Sequence, residues 1–564
     1  MPWLSQESYP LPQKDLISLV FDECKYDPDK PVYHDLENPN RTISWRQGRT
    51  LTRKLAAGFR KAGLQRGDCF SIAAFNDIMY SMLFLGGVAA GGIFSGTNPA
   101  YQIYEIRHHI RTAQVKMFIV EPEVLSPILE AASLEGIARD KIFIFNPLPH
   151  QKVPQGFRSW EWLLQHGEED WVRITDLEEL QSTQVARLNT SGTTGLPKTA
   201  MQSHYNATSW HTMLHDISPV PWEVRNLYTL PGFHVATVPL VHACPFITGD
   251  QCWIMRRFEL ESFLAALERH RITNIGIVPP LVIAIIMSPL RHKYSLRSLR
   301  KIKCGAAPLD AVSQKKFQDL CAPDASFTQV FGMTETTGTI SQFFGTERDE
   351  TGSVGSRFLP NTDVKLIDDL GRDITAYDVE GELCVRGPTV IRGYFNNPSA
   401  NAAAYDAEGY FKTGDVLYCD GKTKKWYIVD RKKELIKVRG FQVSPSELEA
   451  VLLSHPGIVD CAVLGFRPKG RPVHADELIR AYVVRRPPEE RGDDPSAPSL
   501  TEDNVKQFIR SNLASYKSLT GGVVFVDEIP KSPSGKILKR VLKEQAEKEQ
   551  ELEQERGTVA RAKL

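Results

Sequence analysis

The chain reads as an α/β protein: a large multilayer N-terminal domain of two α/β subdomains and a small β-barrel-like subdomain, followed by a hinged, smaller α+β domain. Three observations predict this. At 564 residues the chain exceeds what one hydrophobic core supports, so at least two domains are expected. From about Tyr9 to Glu350, helix-like segments such as Leu51–Ala62 alternate with short β-branched runs such as Lys116–Val120 and Thr273–Val278. That alternation is the pattern of parallel sheets covered by helices. From Gly352 to Asp430 the texture changes to short strand candidates (Val364–Ile367, Glu382–Val385, Trp426–Val429) separated by Gly, Asp and Pro, as in a small antiparallel sheet or barrel.

The domains are therefore expected at residues 1–430, with 352–430 strand-rich, and at 431–564, with a hinge at 431–434. Ser444-Pro445-Ser446-Glu447 is a helix start in which Ser caps, Pro fits the first helical position and Glu completes a capping box. Strands at Val459–Leu464, Ala481–Val484 and Val523–Val526 and a helix between Glu502 and Tyr516 follow. Residues 486–499 form an exposed loop, and the last 20 residues a polar helix or tail.

Composition excludes several functions. Hydrophobic residues make up 42%, and 68 Lys+Arg balance 68 Asp+Glu, so no global field points to nucleic acid or an anionic membrane. Anionic ligands must be held locally. Nine scattered cysteines without a Cys-x-x-Cys pair argue against a disulfide framework or zinc motif and for a reducing compartment. The apolar stretches Met82–Phe94 and Ile277–Met287 fall short of the roughly 20 residues of a membrane span and read as buried helix or strand. No basic-then-apolar leader is visible, and a soluble intracellular protein is expected.

The segment Thr190-Ser191-Gly192-Thr193-Thr194-Gly195-Leu196-Pro197-Lys198-Thr199 combines small residues, hydroxyls and one lysine. Such a loop closes its backbone on a polyphosphate. It is not a P-loop, which needs Gly directly before the lysine where this chain has Pro197. Four further segments stand out: Gly305-Ala306-Ala307-Pro308-Leu309, Gln329-Val330-Phe331-Gly332-Met333-Thr334-Glu335, Tyr410-Phe411-Lys412-Thr413-Gly414-Asp415, and Pro530-Lys531-Ser532-Pro533-Ser534-Gly535-Lys536. Between the last two, residues 430–442 carry five basic residues against two acidic ones.

Together these segments resemble, in order and spacing over nearly the whole chain, the motifs of the adenylate-forming superfamily. That superfamily includes acyl-CoA synthetases, luciferase and nonribosomal adenylation domains; the flavour here is that of 4-coumarate–CoA ligase-like enzymes of fungi. The resemblance implies an ATP-dependent acid–CoA ligase using Mg²⁺, with CoA and a carboxylic acid as co-substrates. It implies that Thr190, Ser191, Gly192, Thr193, Thr194, Gly195 and Lys198 hold phosphates, with Thr199 standing where Gly is usual. Ala307, Gln329, Phe331 and Gly332 lie at the nucleotide, Thr334 contacts the α-phosphate, and Glu335 holds Mg²⁺. Asp415 accepts from the ribose hydroxyls, an acceptor-only role that suits an ionised carboxylate. Arg431 contacts ribose or phosphate, and Lys433 is the pivot of the small domain.

By the same resemblance Lys536 bridges nucleophile and phosphate during adenylation. Lys437, Gln442 and Gly440 face the site during thioester formation, with Arg257, Arg439 and Gly440 at CoA. Two opposed requirements give the hinge a physical logic: the lysine must be present for the first step and removed for the second, as a rotating domain allows. Leu230-Pro231-Gly232-Phe233-His234 resembles the segment whose His lies beside the carboxylate. Ala236, where coumarate ligases tend to have Tyr, leaves space, and Ala307, Phe331, Thr336 and Thr337 line the same pocket. An adenylating enzyme that loads a carrier protein shares all nucleotide motifs, and a non-catalytic scaffold is the alternative from another class. Finally, Ala562-Lys563-Leu564 differs by one small residue from the Ser-Lys-Leu signal, so a peroxisomal import receptor is an expected partner and the peroxisome the expected location.

Overall fold

The computed structural model describes residues 7–190, 197–307, 309–438, 441–467, 477–486, 500–513, 515–532 and 535–549, without the side chains of 216, 437, 441 and 442. Two compact units are present. The first comprises 1–192, 196–365 and 384–412; the second comprises 193–195, 366–383 and 413–564. The strand-rich segment 352–430, expected wholly in the large domain, is thus shared between the units. The division falls within strands of one sheet, not only at the basic turn after Asp430.

The first unit holds two seven-stranded sheets of the same plan. One runs Arg158–Ser159, Ile142–Ile144, Val115–Val120, Cys69–Ala73, Ile93–Gly96, Gln184–Thr190, Lys198–Ser203; the other runs Ser326–Gln329, Lys301–Cys304, Asn274–Ile277, Arg225–Tyr228, Gln251–Ile254, Pro31–Asp35, Thr42–Ser44. All neighbouring pairs are parallel except the last in each, which is antiparallel. The helix Ile78–Ala89 explains the apolar stretch at Met82. It is buried at every position but Met79, and a helix apolar all round belongs inside a core. One cluster joins its Met82, Phe84 and Leu85 to Phe70 and Phe94 of the first sheet and to Tyr33 and Ile254 of the second. The Ile277–Met287 stretch likewise divides into the end of one strand and the helix Pro279–Met287, with Pro at its start.

The five strands Asp373–Ile374, Asp363–Ile367, Gly381–Arg386, Phe411–Cys419 and Trp426–Arg431 lie in that linear order as an open sheet, so the barrel-like alternative gives way to the sheet. In the second unit, Ile458–Phe466 pairs antiparallel with Leu478–Arg485, which pairs parallel with Val523–Phe525. The helices Pro445–Leu453 and Glu502–Asn512 bury Leu448, Leu452, Val505 and Ile509 against the sheet. Two expectations are corrected here. Ser444 caps its helix through Glu447 N, but the Glu447 carboxylate takes Lys517 Nζ at 2.6 Å, so the capping box is not closed. The second helix ends at Asn512 because Leu513 is extended, and a 3-10 turn at Ser515–Lys517 replaces its expected last turn. Among the described residues no helix is long and apolar enough to cross a membrane.

Candidate active site

The edge strand Lys198–Ser203 of the first unit organises the site. Its register against Gln184–Thr190 sets Thr190 opposite Lys198, so the two face each other across the mouth of the hydroxyl-rich loop. Residues Ser191, Gly192, Thr193, Thr194 and Gly195 lie outside the described residues. His108 Nε2 holds the loop's exit at Pro197 O, 3.0 Å away. Thr199, standing where Gly was expected, is 2% exposed, and its hydroxyl donates to Asn189 Oδ1 at 2.9 Å. Asn189 in turn meets His109 Nδ1 at 2.6 Å. Burial pushes that imidazole down to about 4, so it is neutral and can accept. The extra hydroxyl is therefore absorbed by a buried polar chain rather than left unpaired, which would carry a desolvation cost.

The other edge of the same strand meets residues 393–395. Met201 N donates to Gly393 O at 3.1 Å and Phe395 N to Thr199 O at 2.8 Å, with Ala200 bridged to Tyr394. This places Tyr394 between two expected site residues. Its ring lies 4.9 Å from Lys198 Nζ, and its hydroxyl donates to Glu335 Oε1 at 2.8 Å. Tyr394 and Glu335 are both buried while Lys198 is exposed. The backbone of the Glu335 turn is fixed from two directions: Gln202 Nε2 donates to Thr334 O at 3.1 Å, and Ile391 N donates to Glu335 O at 2.9 Å. Tyr405 hydrogen-bonds Ile391 O, and burial, with the Glu335 charge as the smaller cause, holds its phenol above the usual range. One tyrosine thus meets a cation over its ring and a carboxylate at its hydroxyl. Lys198 suits a phosphate, and a single hard carboxylate that shares a cation with phosphate oxygens is the ordinary way to hold Mg²⁺.

The Gln329 side chain braces a neighbouring backbone segment. Its Oε1 accepts from Leu309 N at 3.0 Å and its Nε2 donates to Leu309 O at 2.7 Å, so it pins the far end of the Gly305–Leu309 segment. In that segment Ala306 adopts φ +73, and Ala307 is half-buried. Gly332 is required by close packing, since a Cβ there would lie 2.2 Å from Gly338 O. Phe331 is 5% exposed and forms the adjoining strand. Thr336 and Thr337 do not present hydroxyls to a pocket. The Thr336 hydroxyl donates to Gly338 O at 2.8 Å, that of Thr337 to Thr389 O at 2.7 Å, and both are buried. They shape the turn after Glu335.

On the acid side, Asn76 holds the Leu230–His234 loop by donating to Leu230 O at 3.0 Å and accepting from Gly232 N at 2.9 Å. His242 adds Nε2 to Gly232 O at 2.8 Å, and burial keeps this ring neutral, pushed down to about 4. His234 Nδ1 accepts from Ala236 N at 3.2 Å, which in the neutral ring leaves the proton on Nε2. Arg257 is exposed and lies 3.5 Å over the ring of Phe75, the residue before Asn76.

The second unit carries its own set. Asp415 and Arg431 are register partners, joined at 3.0 Å through Arg431 Nε. Lys432 pairs with Glu382 at 3.0 Å, whereas Lys433 is exposed. Lys437 and Gln442 occupy paired positions of the hairpin Ile436–Val438/Phe441–Val443, whose turn residues Arg439 and Gly440 lie outside the described residues. Lys536 sits on a tight loop: Ser532 N donates to Lys536 O at 2.8 Å, and Gly535 takes φ +81, a conformation glycine adopts freely. Tyr394, Asn76 and Asn189 were missed by sequence reasoning. Asn189 lies just outside the hydroxyl-rich motif, no motif surrounds Asn76 or Tyr394, and only strand pairing across some 200 residues brings Tyr394 to Lys198.

The chain belongs to the AMP-binding enzyme family. The family model matches residues 20–395, and that of the AMP-binding enzyme C-terminal domain matches residues 447–536. Among relatives, the acyl-CoA synthetase ACTT5 of Alternaria alternata is 62% identical over 534 residues, covering 94% of this chain and 90% of the relative. The phenylacetyl-CoA ligase epaB of Aspergillus niger is 49% identical over 540 residues, covering 95% and 98%. The crystal structure of ATP-bound MatB from Rhodopseudomonas palustris superposes with a TM-score of 0.81 at 25% identity, covering 94% of this chain and 99% of that one.

Proposed function

We propose that this ATP-dependent acid–CoA ligase activates an aryl, fatty or other carboxylic acid of fungal secondary metabolism, with Mg²⁺ held at Glu335. The acid carboxylate attacks the α-phosphorus of ATP, releasing pyrophosphate. The CoA thiolate then attacks the acyl carbonyl, releasing AMP. The observation that carries the reading is the Lys198–Tyr394–Glu335 arrangement, a phosphate-binding cation and a cation-binding carboxylate fixed by one strand and one phenol. Lys198 binds phosphate, and Mg²⁺ supplies charge neutralisation on the phosphates when bound with ATP. Asp415 and Arg431 take the ribose side. Lys536 bridges the acid and the α-phosphate during adenylation, where charge stabilisation is the largest contribution available. Lys437, Gln442, Arg439, Gly440 and Arg257 serve the CoA step, with Lys433 as the pivot. His234, Ala236, Ala307 and Phe331 adjoin the acid. The relative named for phenylacetate and the small Ala236 support a roomy pocket.

Acid-dependent ATP–pyrophosphate exchange over a panel of aryl and alkyl acids, followed by detection of the CoA thioester, tests this reading. ADP and phosphate as products, or exchange indifferent to Mg²⁺, would overturn it. We also propose import into peroxisomes through Ala562-Lys563-Leu564, which lie outside the described residues. A fluorescent protein carrying the last dozen residues, with and without Leu564, tests it, and cytosolic signal from both removes the idea.

A further inference from the structure

We propose that His211, His215 and Cys244 form a metal site that takes one thiophilic d10 ion, Zn²⁺ or Cu⁺, per chain. The helix His204–Asp216 sets the two histidines four residues apart and hence on one face, with rings 6.1 Å apart and 14° from parallel. The short helix Cys244–Thr248 brings a thiol to both rings. Cys244 Sγ lies 2.8 Å from His215 Nε2 and 3.5 Å from His211 Nδ1, and the three ligand atoms all fall within 4.8 Å of one another. Zinc–ligand bonds of roughly 2.0–2.3 Å at tetrahedral angles put neighbouring N and S ligands about 3.5 Å apart, so one ion fits this triangle with small adjustment.

The donor chemistry selects the ion. One sulfur and two imidazole nitrogens favour soft or borderline cations over Mg²⁺ or Ca²⁺, which need oxygen. His211 and Cys244 are 1% and 4% exposed, so the site is sheltered from competing solvent. Cys244 Sγ also lies 3.4 Å from Pro239 O. The neighbouring Lys303 is held by Gln342 Oε1 at 2.6 Å. No role in the proposed acid, nucleotide or CoA chemistry uses these three ligands. A bound ion would staple the helix that follows the Lys198 strand to the segment that follows His234.

The test uses the full chain, stripped with a chelator and loaded in parallel with Zn²⁺ or Cu⁺, then freed of excess metal by gel filtration. Metal per chain is measured by mass spectrometry, and Co²⁺ serves as the spectroscopic probe. About one equivalent is expected, with a thiolate-to-cobalt charge-transfer band and a raised melting temperature, since an ion that binds only the folded state stabilises it. Cys244→Ser and, separately, His211→Asn should lose the ion and the band, whereas Cys304→Ser should keep both. Failure of the wild-type chain to retain either ion overturns the proposal, whatever the variants do. So does a band unchanged in either ligand variant, which would leave a thiol hydrogen-bonded to imidazole.

Discussion

The two units hold their functional groups in opposite ways. In the first, Lys198, Tyr394 and Glu335 are fixed by main-chain pairing: one strand meets a sheet neighbour on one side and residues 393–395 on the other. In the second, pairing is local in the chain: Asp415 and Arg431 face each other on the neighbouring strands Phe411–Cys419 and Trp426–Arg431, the Lys536 loop closes on Ser532, and the same unit holds the ion pairs Lys432–Glu382 and Lys539–Glu434. The contrast teaches that one unit assembles its groups from segments far apart in the chain, while the other presents them on strands and loops close together in sequence.

The sharpest way to test that division is Lys536→Ala. It should lower ATP–pyrophosphate exchange by about 10²–10³-fold, the scale for losing one transition-state electrostatic contact. Thioester formation from preformed acyl-adenylate should be largely spared, and Lys437→Ala should show the reverse bias. Equal loss of both half-reactions in both folded variants would abolish the distinction between two working faces.

Glu335→Gln should come next, raising the Mg²⁺ concentration needed for exchange by about tenfold or more, because it neutralises the carboxylate proposed to hold the ion. Tyr394→Phe should do so more weakly. It removes one hydrogen bond to a charged group, a contact of about 1.5–3 kcal/mol, while leaving the ring beneath Lys198. A Tyr394 variant with unchanged Mg²⁺ dependence would show that the phenol does not orient the carboxylate.

Gly332→Ala should destabilise the first unit by about 1–3 kcal/mol, as overpacking does, because its Cβ would fall 2.2 Å from Gly338 O. Calorimetry that found both units unchanged would show that this turn relaxes freely. The smallest effect belongs to the second unit. Ser444→Ala removes the cap on Pro445–Leu453 and the hydroxyl's bonds to Val429 O and Asp430, and should cost about 1–2 kcal/mol, seen as a shift of that unit's melting alone.

The sequence by itself determined the α/β class, the strand runs near Lys116, Thr273 and Val364, and the charged residues of the nucleotide motifs. These follow from local periodicity and from residue chemistry packed into short contiguous segments. It also placed Lys536 after a glycine that turns the chain, because φ preference is a property of one residue. Tertiary structure alone decided the rest. Burial of the helix Ile78–Ala89 between two sheets, the commitment of Thr336 and Thr337 to main-chain acceptors, and the meeting of Tyr394 with Lys198 and Glu335 depend on pairings between segments far apart in the chain. No local pattern encodes such a pairing; it exists only once the sheets have set the register.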